Sequence, residues 1–156
     1  MRLFTRSQTK RFLAELDRRV ASAQAWLETP DGRLLIVKSD YKRHWSVPGG
    51  LIDKGETPLQ AIQREVMEEV AIDLPLEAFS MALTASRRSD RGLTYQFIFR
   101  AAITIDDASD LQLQAAEIQE AAIVTKEQVL SGDRNYGHGI VAWAEDASGY
   151  AEFMLE

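Results

Sequence analysis

Glu65, Glu68 and Glu69 stand three and four residues apart in the segment AIQREVMEEVAI. On a helix these steps bring side chains together, so the three carboxylates share one flank. Like charges so arranged repel by roughly 0.2–0.5 kcal/mol per pair. Arg64 can reach Glu68 at i,i+4 but cannot neutralise all three. A hard divalent cation such as Mg²⁺ prefers oxygen ligands and would convert the repulsion into coordination. The competing reading of the same residues is a solvated acidic helix face, a common surface feature.

Such a flank needs a helix, and the start of one is well marked. Thr57 can cap the first amide donors, Pro58 sits at N1, and Gln60 at N3 completes a capping box. Leu59, Ile62, Val66 and Val70 then form one apolar stripe, predicting a helix over Pro58 to Val70. Just upstream, Pro48-Gly49-Gly50 lets backbone approach a ligand closely and frees carbonyls to turn inward. Glu56 adds a fourth carboxylate before the cap.

The spacing from Gly50 through five residues to Glu56, then seven residues to Arg64-Glu65-Val66-Met67-Glu68-Glu69, resembles the Nudix box of the Nudix hydrolases. The pattern departs once, where Ala71 replaces the family glycine ahead of Ile72; every charged position is kept. That glycine ends the helix in a conformation alanine disfavours, so the departure bears on local backbone rather than on metal chemistry.

The resemblance implies roles residue by residue. Glu65, Glu68 and Glu69 match the metal ligands, Glu69 foremost, joined by the carbonyl of Gly49. Glu65 doubles as the base in some family members. Arg64 would hold a glutamate by a salt bridge, and Glu56 would support the site through metal-bound water. A further carboxylate is expected from a later loop: Glu117, six residues before Ile123, with Glu120 second. Lys38, ending a strand before the glycine loop, is a candidate phosphate contact. Arg87 and Arg88 are also within reach of a phosphate, although an exposed hairpin carries such charges anyway.

The implied activity is Mg²⁺-dependent hydrolysis, with Mn²⁺ as a substitute, of a nucleoside diphosphate linked to another group. Ser86 and Arg87 stand where ADP-ribose enzymes tend to carry proline. Arg88 and Ser89 stand where dinucleoside polyphosphate enzymes carry tyrosine. The motifs of coenzyme A and NADH pyrophosphatases are missing too, which favours a nucleoside triphosphate or nucleotide sugar. Two other classes compete: a Nudix-fold module that binds a nucleotide without turnover, and an acidic protein that takes Ca²⁺ or Mg²⁺ only for stability.

The chain has 156 residues, enough for one domain with a substantial core, read as a single unit over 1–156. It has no cysteine, which excludes a disulfide framework, a thiolate nucleophile and a zinc-thiolate site. The opening MRLFTRSQTKRF lacks the apolar run of a signal peptide, and the expected localisation is cytoplasmic, with no membrane partner. Net charge is −6, made of +5 over residues 1–48 and −11 beyond. An acidic chain is poorly suited to stable nucleic-acid binding, but it suits a small nucleotide whose charge is met by metal ions. The basic N-terminal part reads either as further cations for that substrate or as ordinary solvated surface. A homodimer is admitted by analogy alone.

Elements follow from pattern. Residues 5–19 read as an amphipathic helix with Phe12, Leu13, Leu16 and Val20 on one side, expected to pack on the sheet ahead of mediating dimerisation. Ala21 to Glu28 and Arg33 to Lys38 read as strands around the turn Thr29-Pro30-Asp31-Gly32, and Trp45-Ser46-Val47 as a short one. His44 reads as a surface-loop histidine ahead of a general acid or base, and Trp45 as core ahead of a ring stacked on a substrate base. Phe79 to Ser89 and Leu93 to Ile105 form a predicted hairpin about Asp90-Arg91-Gly92, with Tyr95, Phe97 and Phe99 on one face. An acidic loop over Asp106 to Ala116 precedes a strand at Ala121 to Val124 and a brief helix over Lys126 to Leu130. Gly132 to Gly139 reads as loop, and Ile140 onward as a last helix interrupted at Ser148-Gly149. On pattern this is an α+β or α/β/α sandwich. The resemblance sharpens it to the Nudix fold, a mixed β-sheet between helices with the box as loop–helix–loop.

Overall fold

The stripe of Ile62, Val66 and Val70 needs an apolar partner, and a computed structural model shows the sheet that supplies it. The structure describes residues 5–16, 18–89, 92–105, 107–114 and 116–154. The strands are β1 (Val20–Glu28), β2 (Leu34–Ser39), β3 (Gly49–Leu51), β4 (Ser80–Ser89), β5 (Gly92–Ala102), β6 (Ile118–Val124) and β7 (Gly149–Met154). Helices are α1 (Arg6–Glu15), α2 (Pro58–Val70), α3 (Lys126–Ser131) and α4 (His138–Ala144).

The strands form one mixed sheet in the order β6-β2-β1-β5-β4-β7, with β3 also paired to β1. Parallel pairs are β1–β5 and β4–β7; the others are antiparallel. Because successive strand residues point to opposite faces, the sheet builds two cores. Leu27, Leu35 and Val37 pack with Ile62, Val66 and Val70 of α2 on one side. Trp26, Ile36 and Ile98 pack with Ile140 and Trp143 of α4 on the other. These side chains are essentially fully buried, each contributing roughly 1.5–3 kcal/mol. Both indoles are anchored: Trp26 Nε1 donates to the Gly139 carbonyl at 2.9 Å, and Trp143 Nε1 to Glu28 Oε1 at 2.7 Å. The sheet therefore lies between helices, the α+β sandwich expected.

The predicted helix start is present in full. Gln60 N–H donates to Thr57 Oγ1 at 3.2 Å, and Thr57 N–H donates to Gln60 Oε1 at 2.9 Å. At the other end Ala71 takes the left-handed conformation, φ 54° and ψ 33°, and its N–H reaches the Met67 carbonyl. The helix end keeps the geometry glycine would give it.

Other expectations need correction. The chain does not resume a helix after Ser148-Gly149: Gly149–Met154 is β7, parallel to β4. Its alternation of exposed Tyr150 and Glu152 with half-buried Ala151 and buried Phe153 is a strand period. The helix before it starts at His138, within the segment read as loop. Trp45-Ser46-Val47 makes isolated bridges, Val37 to Ser46 and Trp45 to Tyr136, instead of a strand. The strand read at Ala121 begins at Ile118. Helix α1 forms, but none of its residues is buried, and Phe12 and Leu13 stay more than half exposed. The packing expected of it is not present. The hairpin forms, but its second strand ends at Ala102 instead of Ile105 and Gly92, read in the turn, opens it. Asp90 and Arg91 of the turn lie outside the described residues, as do Asp106 and Ala115 of the acidic loop. Among the described residues no helix is long and apolar enough to cross a membrane.

Candidate active site

Strand β3 carries the two glycines past the last turns of α2. A Cβ on Gly49 would run into the Ala23 carbonyl of β1, and its φ of 142° suits glycine alone. A Cβ on Gly50 would occupy the place of the Glu65 carboxylate. The bare backbone thus lets two α2 carboxylates reach the strand. Gly49 N–H donates to Glu69 Oε2 at 2.9 Å, and Glu69 is only 4% exposed.

The loop before β6 is tied to the same helix. Gln114 N–H donates to the Glu69 main-chain carbonyl at 3.1 Å, and Ile118 N–H donates back to the Gln114 carbonyl at 2.9 Å. This arrangement brings Glu117 into a cavity of about 350 Å³ with Glu65 and Glu69. Lys42, Arg87, Gln24 and Gln96 line the cavity as well.

Arg64 organises the flank. Its guanidinium grips Glu56 through two bonds of 2.7 and 2.9 Å, and reaches Glu65 at 2.7 Å and Glu68 at 3.2 Å. A further bond of 3.1 Å goes to the Leu51 carbonyl, joining loop to helix. Paired forks of this kind are strong and directional. The Arg64 hydrogen bonds hold the Glu56 carboxyl far below the usual range, at about 2. Burial pushes Glu69 up to about 7, against the Gly49 N–H and with the help of Glu65 and Glu117 charge. Burial likewise raises Glu65, Arg64 opposes it, and Glu68 and Glu117 add to the rise.

Next to this cavity lies a larger one, about 630 Å³, which shares Gln24, Lys42, Arg87 and Gln96 with it. His44 and His138 both face this second chamber. His138 stacks on Phe153 with ring centroids 5.4 Å apart.

A sequence profile of the NUDIX domain matches residues 18–144. The chain belongs to the Nudix family. Over 47 residues it is 38% identical to a MutT-like protein of Streptomyces ambofaciens, covering 30% of each chain. Over 61 residues it is 36% identical to an 8-oxo-dGTP diphosphatase of Proteus vulgaris, covering 39% of this chain and 54% of that one. The aligned segments thus span about a third and about half of these relatives. The fold is similar to that of the NUDIX domain of Shewanella oneidensis NrtR, solved in complex with ADP ribose, with a TM-score of 0.70 and 21% identity. That match covers 92% of this chain and 96% of the other.

Within the Nudix domain the expected site residues divide into two groups. Glu65, Glu69, Gly49, Glu117 and Arg87 line the carboxylate cavity. Glu68 does not: it is half exposed and turned to Arg64. Glu120 is exposed, opposite Lys38 in the β2–β6 register. Lys38 donates to the Lys42 carbonyl at 2.8 Å, so the lysine facing the cavity is Lys42, which sequence reasoning passed over. Arg88, next to Arg87 on β4, is exposed and lines neither cavity. His44 is half buried against Gly137, not a free surface residue. Gln24 and Gln96 were also missed. The signal for Gln96 was a polar residue on a buried strand face, two positions before Ile98.

A divalent cation fits the donor chemistry here. Glu65, Glu69 and Glu117 are oxygen donors facing one space, and the charges of Glu65 and Glu117 raise the proton affinity of Glu69. Among the described residues no three such side chains are already drawn into an ion cage. Glu69 is occupied by the Gly49 N–H and Glu65 by Arg64.

Proposed function

We propose that this Nudix protein hydrolyses a phosphoanhydride of a nucleoside diphosphate linked to a further group, a nucleoside triphosphate or nucleotide sugar, in a Mg²⁺-dependent reaction releasing a nucleoside monophosphate. The observation that carries this reading is the shared cavity, where Glu65, Glu69 and Glu117 meet Lys42 and Arg87. Family membership supports hydrolysis, and one relative similar over part of its length is an 8-oxo-dGTP diphosphatase, an enzyme named for a nucleotide substrate.

Glu65, Glu69 and Glu117, with the Gly49 carbonyl, would hold Mg²⁺, which when bound would supply positive charge against the pyrophosphate and lower the pKa of a water. Lys42 and Arg87 contact the phosphate oxygens and hold the anhydride against the carboxylates. Glu65 takes the proton of the attacking water as the water oxygen bonds to phosphorus and the bridging P–O bond breaks. Arg64 keeps the Glu65 carboxylate in line through the 2.7 Å bond. Glu56 holds Arg64 in turn.

A panel of nucleoside triphosphates and nucleotide sugars incubated with Mg²⁺ tests this by release of nucleoside monophosphate. Product is expected, and Glu69→Gln should remove it. Nucleotide binding without product would identify a non-catalytic module. Thermal stabilisation by metal, with no nucleotide effect, would identify a purely structural ion site.

A further inference from the structure

The two connected chambers carry opposite charge. The first is lined by three carboxylates, Glu65, Glu69 and Glu117. The second, larger chamber is lined by no Asp or Glu at all; its charged residues are Lys42, Arg43 and Arg87, beside His44 and His138. Among the described residues none of these three cations has a carboxylate within salt-bridge distance, whereas Arg64 nearby has four. Lys42 and Arg87 also line the carboxylate cavity, where the Lys42 charge is felt by Glu69, but on the side of the second chamber no carboxylate lies among the lining residues to meet these like charges.

The walls are built to stay together. Trp45 N–H donates to the Asn135 carbonyl at 2.8 Å, Gly137 N–H to the Trp45 carbonyl at 2.9 Å, and Asn135 Nδ2 to the Arg43 carbonyl at 3.3 Å. These bonds lock the 41–47 segment to the start of α4. Gly137 has no side chain because the His44 ring fills that place. His44 reports the resulting field: burial first, then Lys42, Arg87, Lys38 and His138, all lower its proton affinity.

We propose that the second chamber is an anion subsite for a phosphoryl group at the far end of the substrate, held by Lys42, Arg43 and Arg87. Resting on the hydrolytic reading, this narrows the substrate to one with negative charge beyond the scissile anhydride. A nucleoside triphosphate fits, and so does a nucleotide linked to a phosphorylated sugar; a nucleotide linked to an uncharged sugar leaves the subsite unfilled and is the poorer substrate. Arg87 and Lys42 line both chambers, so they span the anhydride and its anionic extension.

Binding is tested first without metal or turnover, on the full chain, by NMR of the His44 and His138 ring protons. Inorganic phosphate should shift the His44 signals saturably and raise its titration midpoint, because an anion relieves the surrounding positive charge. Adenosine, which is uncharged, should leave them in place. Arg43→Gln should weaken phosphate binding by about tenfold, as expected for losing one charge-assisted contact. In turnover, the same variant should raise KM for a nucleoside triphosphate or phosphorylated-sugar nucleotide by about tenfold, and leave KM for an uncharged-sugar nucleotide unchanged; whichever charged substrate responds identifies the source of the phosphoryl group. A saturable response to adenosine but none to phosphate, or phosphate affinity unaltered in Arg43→Gln, would overturn the inference. Phosphate binding without any hydrolysis would instead remove the hydrolytic reading and leave the subsite standing.

Discussion

Glu69 carries a direct pH signature. Its carboxyl titrates near 7 in the fold against 4.5 when unfolded. Between those values the native state binds more protons than the unfolded chain, so metal-free stability falls as pH rises. The loss is at most about 3.5 kcal/mol. Glu65 adds in the same direction, while His44, depressed from 6.5, opposes it below that pH. The melting temperature without metal should drop from pH 5 to pH 8, and Glu69→Gln should flatten that slope by comparison with wild type. A parallel slope in the variant would place the titration elsewhere. The adjacent glycines should behave differently from one another. Gly49→Ala meets backbone and a forbidden φ, at about 1–3 kcal/mol from the backbone strain alone. Gly50→Ala meets only side-chain atoms, the Glu65 carboxylate, and no backbone, so thermal melts should show a folded protein that turns over at least about tenfold slower. The charges of the box were legible because carboxylate spacing on a helix is fixed by geometry. Lys42 was not, because whether it or Lys38 faces the cavity depends on how the loop folds back to give Lys38 its carbonyl.

At the scale of elements, α2 keeps a left-handed end with alanine in it. An L-residue side chain there costs about 1–2 kcal/mol that glycine avoids. Ala71→Gly should therefore raise unfolding free energy by about 1 kcal/mol in denaturant titrations, with activity unchanged. A destabilised variant would mean Ala71 is not strained. The strength of the capping box and apolar stripe explains why this helix could be read residue for residue. β7 could not, because Gly149-Tyr-Ala-Glu-Phe-Met has one well-buried side chain, Phe153, and becomes a strand through pairing with β4. A short segment on a sheet edge takes its form from the partner more than from its own pattern.

At the scale of the molecule, the two-faced sheet was legible because alternation in β1, β2 and β5 assigns apolar residues to both sides. The amphipathic pattern of α1 misled for the same reason: an apolar stripe states a need for cover without saying what meets it. Since α1 buries nothing and lies before the matched Nudix region, removing residues 1–16 should change unfolding free energy by no more than about 0.5 kcal/mol and leave turnover intact. Loss of folding would show that α1 belongs to the core. The account as a whole turns on one wall of carboxylates gathering a divalent ion for hydrolysis. Mn²⁺ binding followed by electron paramagnetic resonance, in parallel with nucleoside monophosphate release, measures both halves in one preparation. Wild type should bind Mn²⁺ and turn over, and Glu69→Gln should lose at least about tenfold in affinity together with its activity. A Glu69→Gln protein that binds the ion and releases product as wild type does would contradict the account.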